Sequence, residues 1–335
     1  MTGTNSDVDP RCTRHERRVW EIVSRSPLES LWNLQGVPIR VVAVRTWKAV
    51  KADRLFGHSA ELGFYFLFAL FPTLFCASSV LGLAAQSAHQ FYDRLLDYLA
   101  LVIPTSALGA VLKTFNETAV ASSSGKATLG LIAAIWSASV GISAIQDTLN
   151  IVYKIDDSRS YFVARLYAIG LTIVLTITVS LGLASLLGGD FVAALARVKL
   201  HDRFLVIALS ATARVIGWAA AAALLDFSFA LIYFWAPDPK KRRWHWLTPG
   251  GAFGLLGWLL ASLSLRVYLH FFNTYSVAYG SLGAVIILLT WFYITGLMLL
   301  LGAVINSEIE AGAAEMRLMV SAKPDRGLET GMIDL

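Results

Sequence analysis

Apolar residues along this chain gather into long runs instead of alternating with polar ones. The clearest run spans 281–306, where Tyr293 is the one ionisable side chain. It is about 26 residues long, and about 20 apolar residues suffice to cross a bilayer. No soluble domain needs an uncharged helix of that length. Comparable runs cover 62–85, 128–147, 161–187, 204–235 and 249–271. The pattern predicts an all-α polytopic membrane protein with six transmembrane helices.

Within the runs, single residues modify the helices. Pro72 falls in the middle of the first, where its ring removes a backbone hydrogen bond and kinks the helix; the kink reads as a hinge or as a fixed feature of shape. The second run places Gly130, Ala134 and Ala138 on one face and Ser137 and Gly141 on another, spacing that lets helix backbones approach closely in lipid. Gly250, Gly254, Gly257 and Ala261 do the same for the fifth. Gly188 and Gly189 are expected to end the third span, and Pro237 and Pro239 the fourth.

Between the runs the periodicity becomes amphipathic. In 37–51, Ile39, Val42, Ala43, Trp47 and Val50 recur at helical spacing, with Arg40, Arg45, Lys48 and Lys51 opposite. This predicts an N-terminal amphipathic helix, either lying on an anionic membrane surface or packing against the bundle. Residues 91–103 and 107–115, separated by Pro104, read as short amphipathic helices resting on the outer surface in the first outer loop. The expected organisation is a polar N-terminal tail over 1–36, a six-helix transmembrane domain over 37–310 and a C-terminal tail over 311–335.

Orientation follows from Lys and Arg near the span ends. Arg40, Arg45, Lys48, Lys51 and Arg54 precede the first span, and Lys240, Lys241, Arg242 and Arg243 follow the fourth. Both termini are therefore expected in the cytoplasm. Arg197, Lys199 and Arg203 run against this rule, since they fall in an outer loop. Trp235, Trp244 and Trp246 bracket the basic cluster as an interfacial aromatic belt.

Composition agrees with this picture. The chain is 56% hydrophobic and only 15% charged, where soluble domains sit near 25% charged. Its formal charge of +5 reads as the excess of cytoplasmic loops, not as a nucleic-acid surface. Cys12 and Cys76 fall in a polar tail and an apolar run and make a poor disulfide pair. No secretory leader pattern opens the chain.

The C-terminal hairpin carries a specific pattern: Pro249-Gly250, Tyr275, then YGSLGAVIILLTWFYITGLMLLLGAVINSEIE from Tyr279, which includes Gly280, Gly302 and Asn306. With FYFLFALFP from Phe64 to Pro72, Asn150 and Tyr153 after the second span, and Tyr233 and Pro237 at the end of the fourth, this closely resembles the YihY/BrkB family of bacterial inner-membrane proteins. The resemblance covers roughly 37–310. It implies a six-helix bacterial inner-membrane protein of poorly defined biochemistry. That family has carried labels for virulence, serum resistance and ribonuclease activity, and has been discussed as a transporter of lipid-like molecules. Asp226 departs from the family pattern, which is apolar there.

Ribonuclease chemistry needs clustered His, Asp or Glu in a wet site. The histidines His15, His58, His89, His201, His245 and His270 show no i,i+4 pair and fall on opposite sides of the membrane in this topology. There is no phosphate-binding loop of the P-loop type, no HExxH and no Gly-x-Ser-x-Gly elbow. No catalytic residue, metal site or cofactor is expected. The better candidates are ionisable residues within spans, because charge in lipid needs a partner or a cavity. Asp226 reads as a cation- or proton-linked site or as an acid hydrogen-bonded between helices. Arg214 and Arg266 read as lining an outward cavity for an anionic headgroup, or as snorkelling to outer phosphates. Asn150 and Tyr153 are expected to cap and anchor the second span, and Tyr279 and Gly280 to shape the turn into the sixth. Glu61, Asp147, Glu308 and Glu310 balance nearby basic residues at inner span ends. The leading expectation is a transporter of a lipid-like or amphiphilic anionic substrate, with a non-transporting scaffold for envelope assembly as the alternative. Expected partners are membrane lipids, no nucleic acid, and a second copy of the chain in a homo-oligomer.

Overall fold

The computed structural model describes residues 13–25, 37–84, 98, 109, 124–157, 159–199, 202–238, 248–272 and 282–321. These residues form eight helices: α1 (Arg14–Arg25), α2 (Ile39–Ala52), α3 (Leu55–Ala84), α4 (Ser124–Val152), α5 (Tyr161–Lys199), α6 (Arg203–Trp235), α7 (Pro249–Phe271) and α8 (Leu282–Ser321). The protein is all-α. Five helices, α4 to α8, are long and apolar enough to cross a membrane. α3 is apolar over Leu55–Leu70, and its helical backbone continues for 30 residues in all. The outer amphipathic helices expected within 91–115 lie outside the described residues, Tyr98 and Gly109 apart. So do Tyr275, Tyr279, Gly280, Trp244, Trp246 and the basic cluster 240–243.

The helices start where side chains can satisfy their free N–H groups. In α1, Thr13 and Glu16 form a reciprocal capping box, with the Thr13 N–H donating to Glu16 Oε2 at 2.8 Å and the Glu16 N–H to Thr13 Oγ1 at 3.3 Å. Asp202 caps α6 by accepting from the Phe204 N–H at 2.9 Å. Thr248 caps α7 with Pro249 at its first position, the arrangement that suits a residue lacking an N–H. In α3 the helix runs on through Pro72, and the Thr73 hydroxyl donates to the Ala69 carbonyl at 2.8 Å in the turn that the proline disrupts.

The bundle closes in a ring. α3 packs on α4 and α8, α8 on α7, α4 on α5 and α5 on α6, whereas α6 touches α7 only briefly. The core lies among α3, α4, α6 and α8, with Leu55, Leu62, Leu149 and Leu300 fully buried.

Four boundary expectations are corrected. Gly188 and Gly189 do not end the third span, because α5 continues to Lys199. Gly189 instead lets α5 meet α6: a Cβ there would lie 2.8 Å from the Ala213 carbonyl oxygen, and one on Gly217 would lie 2.7 Å from that of Ser185. Close approach recovers more than two glycines cost in helix propensity. The last helix does not stop at Asn306. It runs to Ser321, because Ile309, Ala311, Ala313 and Ala314 are buried under α1 and α2. The predicted C-terminal tail therefore begins with helix. The predicted N-terminal tail likewise contains α1, whose Val19 and Trp20 pack on Ala311 and Ala314.

The two faces of α2 also differ from the expected division. Val42 and Val50 are buried, while Ile39, Val44 and Trp47 are exposed. Arg45 turns inward, its Nε donating to Glu308 at 2.8 Å and its Nη1 to Glu315 at 2.5 Å. The contacts of Val37 with Gly312 and of Arg45 with Glu308 and Glu315 set α2 against the last turns of α8. α2 thus packs against the bundle through Val42 and Arg45.

Candidate functional site: a polar knot joining three helix ends to α8

Residues scattered through the sequence meet where α4 and α6 end and α7 begins against α8. Asn150, buried in the last turn of α4, uses both ends of its amide. Its Nδ2 donates to Asp157 Oδ2 at 2.8 Å, and its Oδ1 accepts from the Asp238 N–H at 3.0 Å. Asn150 thus ties the turn after α4 to the chain leaving α6. Asp157 in turn receives a two-pronged grip from Arg159, with Nε at 2.9 Å and Nη2 at 2.7 Å. The same guanidinium reaches the Ala236 carbonyl at 3.5 Å.

The electrostatics of this loop are those of a tight pair. Burial alone would push the Asp157 carboxyl up. Hydrogen bonds from Arg159, the charge of that guanidinium and the amide of Asn150 outweigh burial and hold it below the ordinary carboxylate value. Burial works against the Arg159 charge, and Asp157 more than offsets it, so its affinity for the proton rises.

The other half of the knot fastens α7 to α8. Asn306 Oδ1 accepts from the Gly250 N–H at 2.8 Å, and its Nδ2 donates to Thr248 Oγ1 at 3.0 Å. Thr248 Oγ1 also accepts from the Gly251 N–H at 2.9 Å. Gly250 and Gly302 are in backbone contact, since a Cβ on Gly250 would stand 2.0 Å from the Gly302 oxygen. Tyr233 from α6 lies across this crossing and donates to the Leu299 carbonyl at 2.8 Å. Ser307 donates to the Val152 carbonyl at 2.9 Å and closes the circle back to α4. Tyr153 is buried beside it. Asn150, Tyr153, Pro249, Gly250, Gly302 and Asn306, singled out in the sequence for their resemblance to a family pattern, all lie in or beside this knot. Pro72 stands apart, inside α3.

From the knot α7 runs antiparallel to α8. Trp258 Nε1 donates to Thr295 Oγ1 at 3.0 Å, and Trp291 Nε1 to Ser262 Oγ at 3.2 Å. α6 leaves the knot differently. Its contact with α7 gathers where Phe229, Tyr233 and Asp226 approach Gly251 and Gly254. Farther out, α6 is zipped to α5 by Gly182, Ser185, Gly189 and Gly217. The α5–α6 pair is therefore a hairpin, and its contacts with Gly251 and Gly254 of α7 lie near the knot.

The three ionisable candidates divide between the two ends. Asp226 is half-buried, with Oδ1 3.7 Å from the Cβ position of Gly251, and no described residue bonds to it. Arg214 lies 12 residues away along α6, about 18 Å by helical rise, and Arg266 lies 15 residues beyond Gly251, about 22 Å. The two arginines share a depth at the far end; Asp226 stands apart from them at the knot. Arg214 is paired: its Nε donates to Asp190 Oδ1 on α5 at 3.0 Å.

Several residues of these sites escaped the sequence reading. Thr248 was legible as a helix start, because threonine before Pro249 is a cap signal. Nothing in the spacing of Asp157 and Arg159 reveals that Asn150 bonds to the same carboxylate. Asp190 was hidden behind a glycine pair taken as a helix end. Arg165 on α5 reaches across to α4, donating to the Trp136 carbonyl at 3.2 Å and to Ser143 Oγ at 3.1 Å.

Comparison with known proteins places the chain in one family. A family described as Virulence factor BrkB matches residues 46–324. The ribonuclease-like protein YfkH of Bacillus subtilis (strain 168) is 33% identical over 251 residues, 74% of this chain and 88% of that protein. UPF0761 membrane proteins of Xanthomonas oryzae pv. oryzae (strain PXO99A) and Xanthomonas campestris pv. campestris (strain B100) are each 28% identical over 267 residues. That match covers 79% of this chain and 60% of each relative. No solved structure matches.

Proposed function

The chain belongs to the Virulence factor BrkB family of membrane proteins, and from that premise we propose that it transports a lipid-like or amphiphilic anion across a bacterial inner membrane. One observation carries the reading: α6 and α7 touch only briefly, and the contacts of α6 with Gly251 and Gly254 lie at the knotted end. A seam of that kind is a lateral entrance from lipid. Arg214 and Arg266 flank its far end, where guanidinium groups attract a headgroup. Asp226 stands at its closed end as a proton- or cation-linked carboxylate. The sixth span of this reading is α3, whose 30 residues extend about 45 Å against a hydrocarbon core of about 30 Å. The knot then faces the cytoplasm, together with both termini.

The test is reconstitution in liposomes with fluorescent phosphatidylglycerol in one leaflet. Wild-type protein is expected to speed exchange at least tenfold over empty vesicles, and Asp226→Asn to remove most of that gain. Exchange no faster than in empty vesicles sinks the reading for this lipid.

The second reading is a non-transporting scaffold. What favours it is the collar of α1 and α2 around the end of α8, which presents Trp47, Lys48 and Lys51 on its outside. An unaltered envelope phenotype in a well-expressed Asp226→Ala, Arg266→Ala double variant would favour the scaffold. RNA cleavage is not part of either reading. Among the described residues no group of three or more His, Cys, Asp or Glu could hold a metal ion.

A further inference from the structure

We propose that Arg214, aimed by Asp190 and Tyr98, is a receptor for the phosphate of an amphiphile's headgroup. This deepens the transport reading and rests on it for the route by which the ligand arrives. Counted from Trp235, Arg214 lies about 32 Å along α6, close to the ~30 Å thickness of the hydrocarbon, so it stands at headgroup depth.

The site is built by the α5–α6 seam. Gly189 carries no side chain, and its Cβ position is 2.8 Å from the Ala213 oxygen and 3.4 Å from Arg214 Cα. That closeness brings the next residue, Asp190, within reach of Arg214. Asp190 Oδ1 accepts from Arg214 Nε at 3.0 Å, and Oδ2 accepts from the Tyr98 hydroxyl. The Tyr98 ring stands edge-on to Trp218 at 5.9 Å, which fixes the hydroxyl in turn. Asp190 is nearly enclosed, with its side chain 14% exposed, while that of Arg214 is 48% exposed.

The chemistry follows from which edge of the guanidinium is used. Asp190 engages Nε, and among the described residues nothing engages Nη1 or Nη2. Their N–H groups form a planar fork that matches two oxygens of one phosphate. Because Asp190 has already balanced the positive charge, attraction to a ligand comes from directed hydrogen bonds more than from net charge. This favours a singly charged phosphodiester over a dianion and disfavours a carboxylate chosen by charge alone. Phe191, Val215 and Trp218 are exposed beside the pair and offer an apolar surface for an acyl chain. Asp190 and Tyr98 are positioning residues; Arg214 alone touches the phosphate.

Binding is measured on the full chain in detergent with three probes: fluorescent phosphatidylglycerol, diacylglycerol lacking the phosphate, and inorganic phosphate as competitor. Wild-type protein is expected to prefer phosphatidylglycerol over diacylglycerol at least tenfold. Arg214→Lys keeps the charge, loses the fork and is expected to lose most of that preference. Arg203→Lys at the start of α6 keeps it. Asp190→Ala is expected to lose the preference and Asp190→Glu to restore it in part, which a merely structural aspartate would not do. Competition by millimolar phosphate identifies a free-anion site, and its failure identifies a headgroup site; either keeps the phosphate chemistry. An Arg214→Lys protein that melts like wild type and still prefers phosphatidylglycerol overturns the proposal. Should Arg214→Lys not fold, Tyr98→Phe, which leaves the fork in place but loosens its support, is expected to weaken binding about threefold, and unchanged binding overturns it. Lipid that binds through Arg214 but does not move in vesicles refutes transport and leaves this site; lipid that moves while binding ignores Arg214 does the reverse.

Discussion

Replacing Gly250 by alanine puts one methyl group into the tightest point of the knot. Its Cβ would lie 2.0 Å from the Gly302 oxygen and 2.6 Å from Asn306 Oδ1. Ordinary contact begins at 3.4 Å, so α7 and α8 must part by the difference, 1.4 Å. Neither partner is a flexible side-chain end that could swing away, since one is backbone and the other is held at both ends of its amide. Parting the helices breaks the Gly250–Asn306 bond of 2.8 Å and stretches the Tyr233 bond to Leu299. Overpacking of this kind costs about 1–3 kcal/mol, and each buried hydrogen bond lost adds about 1 kcal/mol. The sum, about 3–5 kcal/mol, is a large share of a typical folding free energy. The assay is thermal unfolding in detergent, followed by intrinsic tryptophan fluorescence, with a fall on the order of 10 °C expected. Gly57→Ala is the control, because a Cβ there meets nothing within 4 Å, and alanine is the better helix former by up to ~1 kcal/mol. If G250A melts within ~1 °C of wild type, the backbone contact between α7 and α8 is not as described, and the knot falls with it.

Two further outcomes test the loop and the hairpin. Asp157 is held below its ordinary value, so its contribution to stability is complete above the unfolded value near pH 4 and is lost as pH falls through the lower folded one. Acid unfolding of wild type should therefore steepen below about pH 4, whereas Asp157→Asn should be less stable at neutral pH by about 2 kcal/mol and flatter below pH 4; parallel curves refute the pairing with Arg159. Gly217→Leu must push α5 from α6, since even a Cβ would lie 2.7 Å from the Ser185 oxygen. Faster hydrogen exchange confined to α5 and α6, with α7 and α8 unchanged, is the expected result, and uniform or absent change contradicts a hairpin whose contacts with α7 lie near the knot.

The order of helices was legible because it rests on runs of apolar residues. So were the structural positions Asn150, Gly250 and Asn306, through their family pattern. What could not be read is which polar residues share a site. Asp226, Arg214 and Arg266 looked equivalent as ionisable residues within spans, but two stand at one end of the seam and one at the other. Arg45 and Trp47 looked to be on opposite duties and exchanged them, because the bundle face of α2 is chosen by α8.

Membrane character and all-helical class are one-dimensional properties. A run of side chains without charge favours hydrocarbon whatever its neighbours are, and its backbone must then close its own hydrogen bonds, so the amino-acid order alone determined them. Where helices end and which partners they choose depends on how closely two backbones approach. Gly189 lies inside a helix whose bare backbone meets α6, and the residues after Asn306 stay helical because α1 and α2 cover them. Only the tertiary structure decided these things, since the free energy of a close contact belongs to both helices and is absent from either one read alone.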